Sequence, residues 1–367
     1  AILPANSRRS RTMSEPYSLE PSVLLLTPSG TLLTANDEIG ESPLGDDSAC
    51  WRTAEDGFVN AVNGMRIGAD DVQRRSLTAI AGPTRLPSEH LAELREQGYT
   101  ILENILDAAA IARLKEQIAR SRVVNHAAEA DRDGHFWMMD GLTWAPDFAK
   151  ASVHPVALWL LQTYMSNADI HFCHQPIITT LRPADTLKGT FPEAGWHSDY
   201  PYHPGVFPDD HWPESPVFGV QYNVCLDEFR ADNAATQFVP GSHRLCKGPP
   251  IEFNQGGTHM GEGQHRDVAQ FCAPAGAGLI YDARTWHRAC HELNVSGEDR
   301  IAFLNAVAPA WVRPMIDKTP VGDRYRASHV PAALTARERH DVDRLCNSPM
   351  LPTPDGMPQL LERRRRR

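Results

Sequence analysis

The stretch Gly195-Trp196-His197-Ser198-Asp199 carries the reading that decides the fold. In a β-strand, residues i and i+2 project from the same face, so His197 and Asp199 aim into one cavity. One imidazole and one carboxylate on one face are two of the three protein donors of a facial triad, the open-sided site of non-haem iron(II) oxygenases. An H-x-D pair is common by chance, so a third donor must come from elsewhere in the chain. His287 is the candidate. It closes Tyr281-Asp282-Ala283-Arg284-Thr285-Trp286-His287, after the apolar run Gly278 to Tyr281, 88 residues beyond Asp199. Thirteen residues later, Arg300 opens the run RIAFLNAVA. A guanidinium there can pair bidentately with a carboxylate ligand.

The sequence around these residues is β-rich. From about His171, short apolar runs alternate with Pro- and Gly-rich loops: IITTL, FGVQYNVCL, TQFVP, GLIYDA and RIAFLNAVA. Strands at this density imply a sandwich or barrel. Upstream the period lengthens. Ser88 is the expected cap of a helix that carries Leu91 and Leu94 and stops at Gly98. Asp107 caps a second, with Ile111, Leu114 and Ile118 on one face. Further helices are expected over 155–165 and 333–345, and a strand over 99–105. Residues 1–84 are poor in pattern apart from a candidate hairpin about Pro28-Ser29-Gly30. The chain is therefore read as an N-terminal extension, partly disordered (1–84), a catalytic domain (85–330), and a C-terminal helix with a basic tail (331–367).

Four blocks occur in order: WHSD at 196–199, DNAATQFVPGSH at 232–243, APAGAGLIYDARTWHRA at 273–289, and RIAFLNAVAP at 300–309. Together they resemble the phytanoyl-CoA dioxygenase family of iron(II)- and 2-oxoglutarate-dependent oxygenases. The resemblance implies a mainly β fold with flanking α-helices around a double-stranded β-helix, a cupin-like jelly roll. It implies Fe(II), 2-oxoglutarate as co-substrate and O2, with His197, Asp199 and His287 as metal ligands. His291 lies in the same stretch; the D-x-x-x-W-H context favours His287. Arg300 is expected to hold the distal carboxylate of 2-oxoglutarate, with Gln175 and Thr180 as further co-substrate contacts. Asn223 and Gln221 alternate on another candidate wall strand. Ser242 and His243 are expected to stabilise a turn. Tyr200 to Trp212 reads as a rigid loop or an active-site wall. Halogenating relatives carry a small residue where Asp199 stands, so the carboxylate favours hydroxylation of a C–H bond, or a further oxidation such as desaturation or ring closure.

Composition narrows the alternatives. Apolar residues make up 41% and charged residues 22% of the 367 residues, and the formal charge is −10. That argues against nucleic acid as a partner, the five-arginine run 363–367 notwithstanding. No apolar run approaches a membrane span. Seven cysteines without CxxC spacing fit a reducing cytoplasm better than a disulfide framework. A small-molecule substrate is expected; nothing in the sequence sets the oligomeric state. Two other classes stay open: a cupin-type metal enzyme independent of 2-oxoglutarate, for which Arg300 has no evident task, and a non-catalytic jelly-roll binding protein.

Overall fold

Residues 23–81 fold into an antiparallel sheet in the computed structural model, which describes residues 20–125, 135–186, 195–202, 207, 211–250, 268–289 and 293–346. Its strands are β1 (Val23–Leu26), β2 (Leu32–Ala35), β3 (Ile39–Ser42), β4 (Trp51–Ala54), β5 (Gly57–Asn60), β6 (Arg66–Gly68) and β7 (Thr78–Ala81). They run in the order β3-β2-β1-β4-β5-β6, with β7 on the other side of β1. The expected hairpin is β1–β2, with Leu26 opposite Leu32.

The weak pattern of residues 1–84 has a physical cause here. Leu24 and Leu32 face the main hydrophobic core. Leu25, Leu33, Trp51 and Ile67 form a second core on the opposite face. A sheet covered on both faces loses the alternation that marks a half-exposed strand.

Helices follow: α1 (Ala69–Arg74), α2 (Pro87–Gln97), α3 (Ala108–Asn125), α4 (Gly141–Trp144), α5 (Pro146–Ser152) and α6 (Pro155–Tyr164). The start of α2 differs from the expected Ser88 cap. Pro87 occupies the first turn, and Glu89 accepts the Leu86 N–H at 2.8 Å. Ser88 instead donates to Asp47 at 2.6 Å, tying α2 to the N-terminal sheet. Asp107 does cap α3, accepting from Ala110 N at 2.7 Å. Two later helices, α7 (Thr319–Ala327) and α8 (Ala336–Leu345), complete the layer, and the Thr335–Glu338 capping box starts α8. Buried Arg337 on α8 donates to Gly30 O and Val153 O. Gly30 has φ +87°, and a Cβ there would meet Thr335 Oγ1 at 2.2 Å, so the hairpin turn needs glycine. The C-terminal helix is thus locked to the N-terminal hairpin.

The larger jelly-roll sheet comprises β8 (Tyr99–Leu102), β9 (His135–Met138), β10 (Ile170–Phe172), β11 (Ile177–Leu181), β12 (Val220–Cys225), β15 (Gly278–Asp282) and β17 (Arg300–Pro309); the smaller one comprises β13 (Gln237–Phe238), β14 (Ala269–Gln270) and β16 (His287–Arg288). The larger runs β8-β15-β12-β17-β11-β9, with β10 also on β17; the smaller runs β14-β13-β16. Strand parity separates outside from inside. Tyr222, Val224, Ile280, Ile301, Phe303 and Val307 pack outward with Leu94, Leu114, Phe148 and Leu161 of the helices. The alternate residues Cys225, Ala277 and Ala302 turn inward, and Leu279 and Tyr281 meet Phe238 of the small sheet. Two antiparallel sheets facing one another, with helices backing the larger, make a mainly β jelly roll. Among the described residues the cysteines are free, and no helix is long and apolar enough to cross a membrane.

The helical layer carries an acid sensitivity. Burial, and secondarily Arg85, lowers the pKa of His90 to about 3; burial, and secondarily Arg337, does the same for His154. Both folded-state values lie below the unfolded one near 6.5, so the unfolded chain binds more protons between pH 6.5 and 3. Stability is expected to fall with acid across that window, by up to about 1.4 kcal/mol per pH unit and group. Urea midpoints from pH 7 to 4 check this, and His154→Leu should flatten the slope.

Candidate metal centre

His197 and His287 are direct cross-strand partners. Each backbone N–H donates to the other's carbonyl at 3.0 Å. This pairing sets their rings side by side, with centroids 4.3 Å apart. Asp199, two residues along, joins them. Its Oδ1 lies 3.9 Å from His197 Nε2 and its Oδ2 lies 3.2 Å from His287 Nε2. Among the described residues these three form the one group of His, Cys, Asp or Glu side chains placed to hold a metal ion, with donor atoms within 4.8 Å of one another.

The hydrogen bonds behind the rings fix their chemistry. His197 Nδ1 lies 2.8 Å from Gly195 O, and His287 Nδ1 lies 2.9 Å from Thr285 O. A carbonyl only accepts, so each Nδ1 carries the proton and each Nε2 presents a lone pair. At 3.2 Å from Asp199 Oδ2, His287 Nε2 has room for either a second ring proton or a metal ion between the two atoms. Burial opposes an imidazolium at His287, yet the Asp199 carboxylate outweighs it and holds the pKa above its ordinary value. The donor set fits a divalent first-row metal, whose ligands stand about 2.0–2.2 Å from the ion. Side-chain exposure falls from 46% at His197 to 19% at Asp199 and 5% at His287, so the triad runs from the surface into the barrel.

The segments carrying the ligands are held from outside the cavity. Trp196 and Trp286, each preceding a triad histidine, pack together with Val239. The Arg288 guanidinium lies over Trp196 at 4.9 Å, and its Nε donates to Gln237. In the VPGSH segment, Ser242 Oγ accepts the Trp286 N–H at 2.8 Å and Val239 N donates to Trp286 O. His243 Nε2 reaches Arg95 O. Ser242 and His243 therefore do structural work, as expected. Gly98 ends α2 in the left-handed region, φ +85°. Its carbonyl accepts from Asp282 N and Thr285 Oγ1. A Cβ at Gly98 would meet His243 Nδ1 at 2.5 Å.

Within the turn before His287, fully buried Asp282 takes Arg284 Nε at 2.9 Å and Nη2 at 2.7 Å, and Tyr164 OH at 2.7 Å. Arg284 Nη1 donates to Glu214 O at 2.7 Å. Every group of this buried ion pair is matched. Arg284→Ala strands the Asp282 carboxylate and is expected to cost about 3–5 kcal/mol of unfolding free energy. Urea denaturation measures it; a loss under 1 kcal/mol would contradict the account.

Arg300 stands at the inner start of β17. It is buried, its guanidinium lies over the Phe229 ring at 4.1 Å, and its Nε has no hydrogen-bond partner. Burial lowers its pKa to about 10, despite Cys225 and Asp227 nearby. Among the described residues no carboxylate is paired with it. A buried cation with an open donor suits an anionic ligand. Leu304 pairs with Asn223, whose amide reaches toward the metal centre through Tyr281. Arg300 therefore starts four residues, about 13 Å of strand, from that level.

The structure corrects Thr180. It pairs with Ile301 and shares the outward parity of Ile178, in the helix-facing core. Thr179 is the inward residue by its pairing with Ala302; the buried Oγ1 atoms of Thr179 and Thr180 both lack a hydrogen-bond partner. Gln175 precedes β11 and is half buried, and its backbone carbonyl accepts from His174 Nδ1 at 2.6 Å. Gln221 and Asn223 share the inward parity of β12. Of the Tyr200–Trp212 segment, Tyr202 and Trp212 are buried with Phe207 and Phe218 against them. His203 and the alternative ligand His291 lie outside the described residues, as do the side chains of His135, Phe136 and Trp137.

Tyr281 is the residue that sequence reasoning missed. Its hydroxyl lies 3.2 Å from Asp199 Oδ2 and 3.4 Å from His287 Nε2. Burial and then the Asp199 carboxylate hold its pKa well above the ordinary phenol value. The one available signal was its inward parity on the strand leading to His287.

The chain is similar to several known proteins. The chain is 24% identical over 227 residues to the uncharacterized protein Rv1501 of Mycobacterium tuberculosis, covering 60% of this chain and 74% of that one. HygX from Streptomyces hygroscopicus, solved with nickel and 2-oxoglutarate bound, has a TM-score of 0.48 at 11% identity, covering 63% of this chain and 90% of HygX. SnoN, a non-haem alpha-ketoglutarate-dependent epimerase from nogalamycin biosynthesis, has a TM-score of 0.43 at 18% identity, covering 61% and 83%. The phytanoyl-CoA dioxygenase profile matches residues 94–302, more than half the chain, within which all three triad residues and Arg300 fall. The chain belongs to the phytanoyl-CoA dioxygenase family.

Proposed function

We propose that this protein is an Fe(II)- and 2-oxoglutarate-dependent dioxygenase that hydroxylates a C–H bond of a small-molecule substrate. The observation that carries the reading is the His197–Asp199–His287 triad, with both imidazole Nδ1–H groups committed to backbone carbonyls and both Nε2 atoms turned toward the Asp199 carboxylate. Iron with O2 supplies oxidising chemistry in which 2-oxoglutarate becomes succinate and CO2, one oxygen atom going to each product, succinate and the hydroxylated substrate.

The chain's own residues do the rest. His197, Asp199 and His287 would hold the metal through three donors, and its open side would take the co-substrate and O2. Arg300 pairs with the distal carboxylate of 2-oxoglutarate and sets its orientation. Thr179 and Asn223 offer unpartnered polar atoms on the same inner face, and Gln175 stands at its edge. The buried aromatics Phe238 and Phe271 exclude water from that side of the barrel.

The test is succinate release from 2-oxoglutarate, with Fe(II) and O2, across a panel of small metabolites. One compound should stimulate release and appear with an added oxygen atom. Fe(II) bound at one per chain with no succinate under any condition would favour a jelly-roll binding protein.

A further inference from the structure

We propose that Tyr281 is a positioning residue for the Asp199 carboxylate: its hydroxyl, oriented by Asn223, donates to Asp199 Oδ2 and fixes the rotation of the carboxylate between the two triad imidazoles. The inference rests on the metal-site reading above and adds a residue to it.

The direction of the hydrogen bonds follows from donor inventory. Asn223 Nδ2 can only donate, and it lies 3.4 Å from the Tyr281 oxygen. The phenol proton is then free to go elsewhere. Two acceptors are in reach, Asp199 Oδ2 at 3.2 Å and His287 Nε2 at 3.4 Å. A metal on Nε2 removes that lone pair, so the carboxylate is the remaining acceptor. Asp199 Oδ1 faces His197 Nε2 at 3.9 Å and Oδ2 faces His287 Nε2 at 3.2 Å, so the phenol's hold on Oδ2 sets how the carboxylate is turned between the two rings.

The hydroxyl has little freedom to leave. Its ring stands edge-on to His287 at 4.8 Å and to Phe238 at 5.0 Å. Its backbone is held on both sides, by Gln221 of β12 and Tyr99 of β8. Partners that orient metal ligands from behind typically change metal affinity 10–100-fold when removed.

The test uses Co(II) alone as the probe, because its visible spectrum reports ligand number and geometry. The full chain is compared with Tyr281→Phe, which keeps the ring, and with Asp199→Ala. Tyr281→Phe is expected to weaken Co(II) binding about tenfold or more and to alter the Co(II) spectrum, while the metal-free urea midpoint stays close to the unmodified protein's. Unchanged affinity and spectrum in Tyr281→Phe, with binding lost in Asp199→Ala, would overturn this proposal and leave the triad standing. Failure of the unmodified protein to bind Co(II), or wild-type binding by Asp199→Ala, would instead overturn the metal site itself. A separate measurement on the unmodified protein guards against a misfolded variant. Loaded with Fe(III), it should show no intense visible phenolate band; such a band would make Tyr281 a ligand and contradict its role as a hydrogen-bond donor.

Discussion

Alanine at His197, Asp199 or His287 is expected to abolish both stoichiometric iron binding and succinate formation. The three donors converge within 4.8 Å from two segments, and each histidine is already committed at Nδ1 to a carbonyl. Removing one leaves two protein donors, which hold iron poorly in competition with water and buffer. Removing His287 also strips the buried side of the site and leaves the Asp199 carboxylate without the partner it now faces at 3.2 Å. His291→Ala, by contrast, should keep iron and activity. Iron content per chain and succinate yield measured together give the answer; an active His287→Ala would move the ligand to His291. Asp199→Gly removes the carboxylate without filling its place, and should lose hydroxylation.

Arg300→Ala is expected to raise the apparent 2-oxoglutarate KM by at least about tenfold while iron content hardly changes. The guanidinium is buried with an unpartnered Nε, and no carboxylate pairs with it among the described residues. A charge-assisted bidentate pair shielded from water is worth roughly 1.5–3 kcal/mol, and each 1.4 kcal/mol is a factor of ten. Arg300→Lys should recover only part of the loss, because an ammonium lacks the planar fork. An unchanged KM in Arg300→Ala would place the co-substrate carboxylate elsewhere and return weight to an enzyme that does not use 2-oxoglutarate.

Much of the jelly roll was legible because its inner and outer faces differ in chemistry. RIAFLNAVAP alternates Ala302 and Ala306 inward with Phe303 and Val307 outward, and its strand was read nearly to the residue. The triad was legible because H-x-D on a strand forces two donors onto one face. Other features were not, for identifiable reasons. The N-terminal sheet hides its period by burying both faces, as Leu24 and Leu25 show side by side. The face of Thr180 was not legible because a run such as IITTL has no polar–apolar contrast to set its register, and a one-residue slip exchanges the faces. Ser88 looked like a cap because Asp47, its partner 41 residues away, is invisible to local pattern. Tyr281 was absorbed into an apolar run, where a phenol reads as one more buried ring.

Formation of succinate from 2-oxoglutarate by the unmodified protein, with Fe(II) and O2, set beside the same assay on Asp199→Ala, tests the central claim most directly. Iron-dependent succinate is expected from the first, rising when the true substrate is present, and none from the second. Succinate formed equally by both, or an iron-loaded protein that never consumes 2-oxoglutarate, would contradict it.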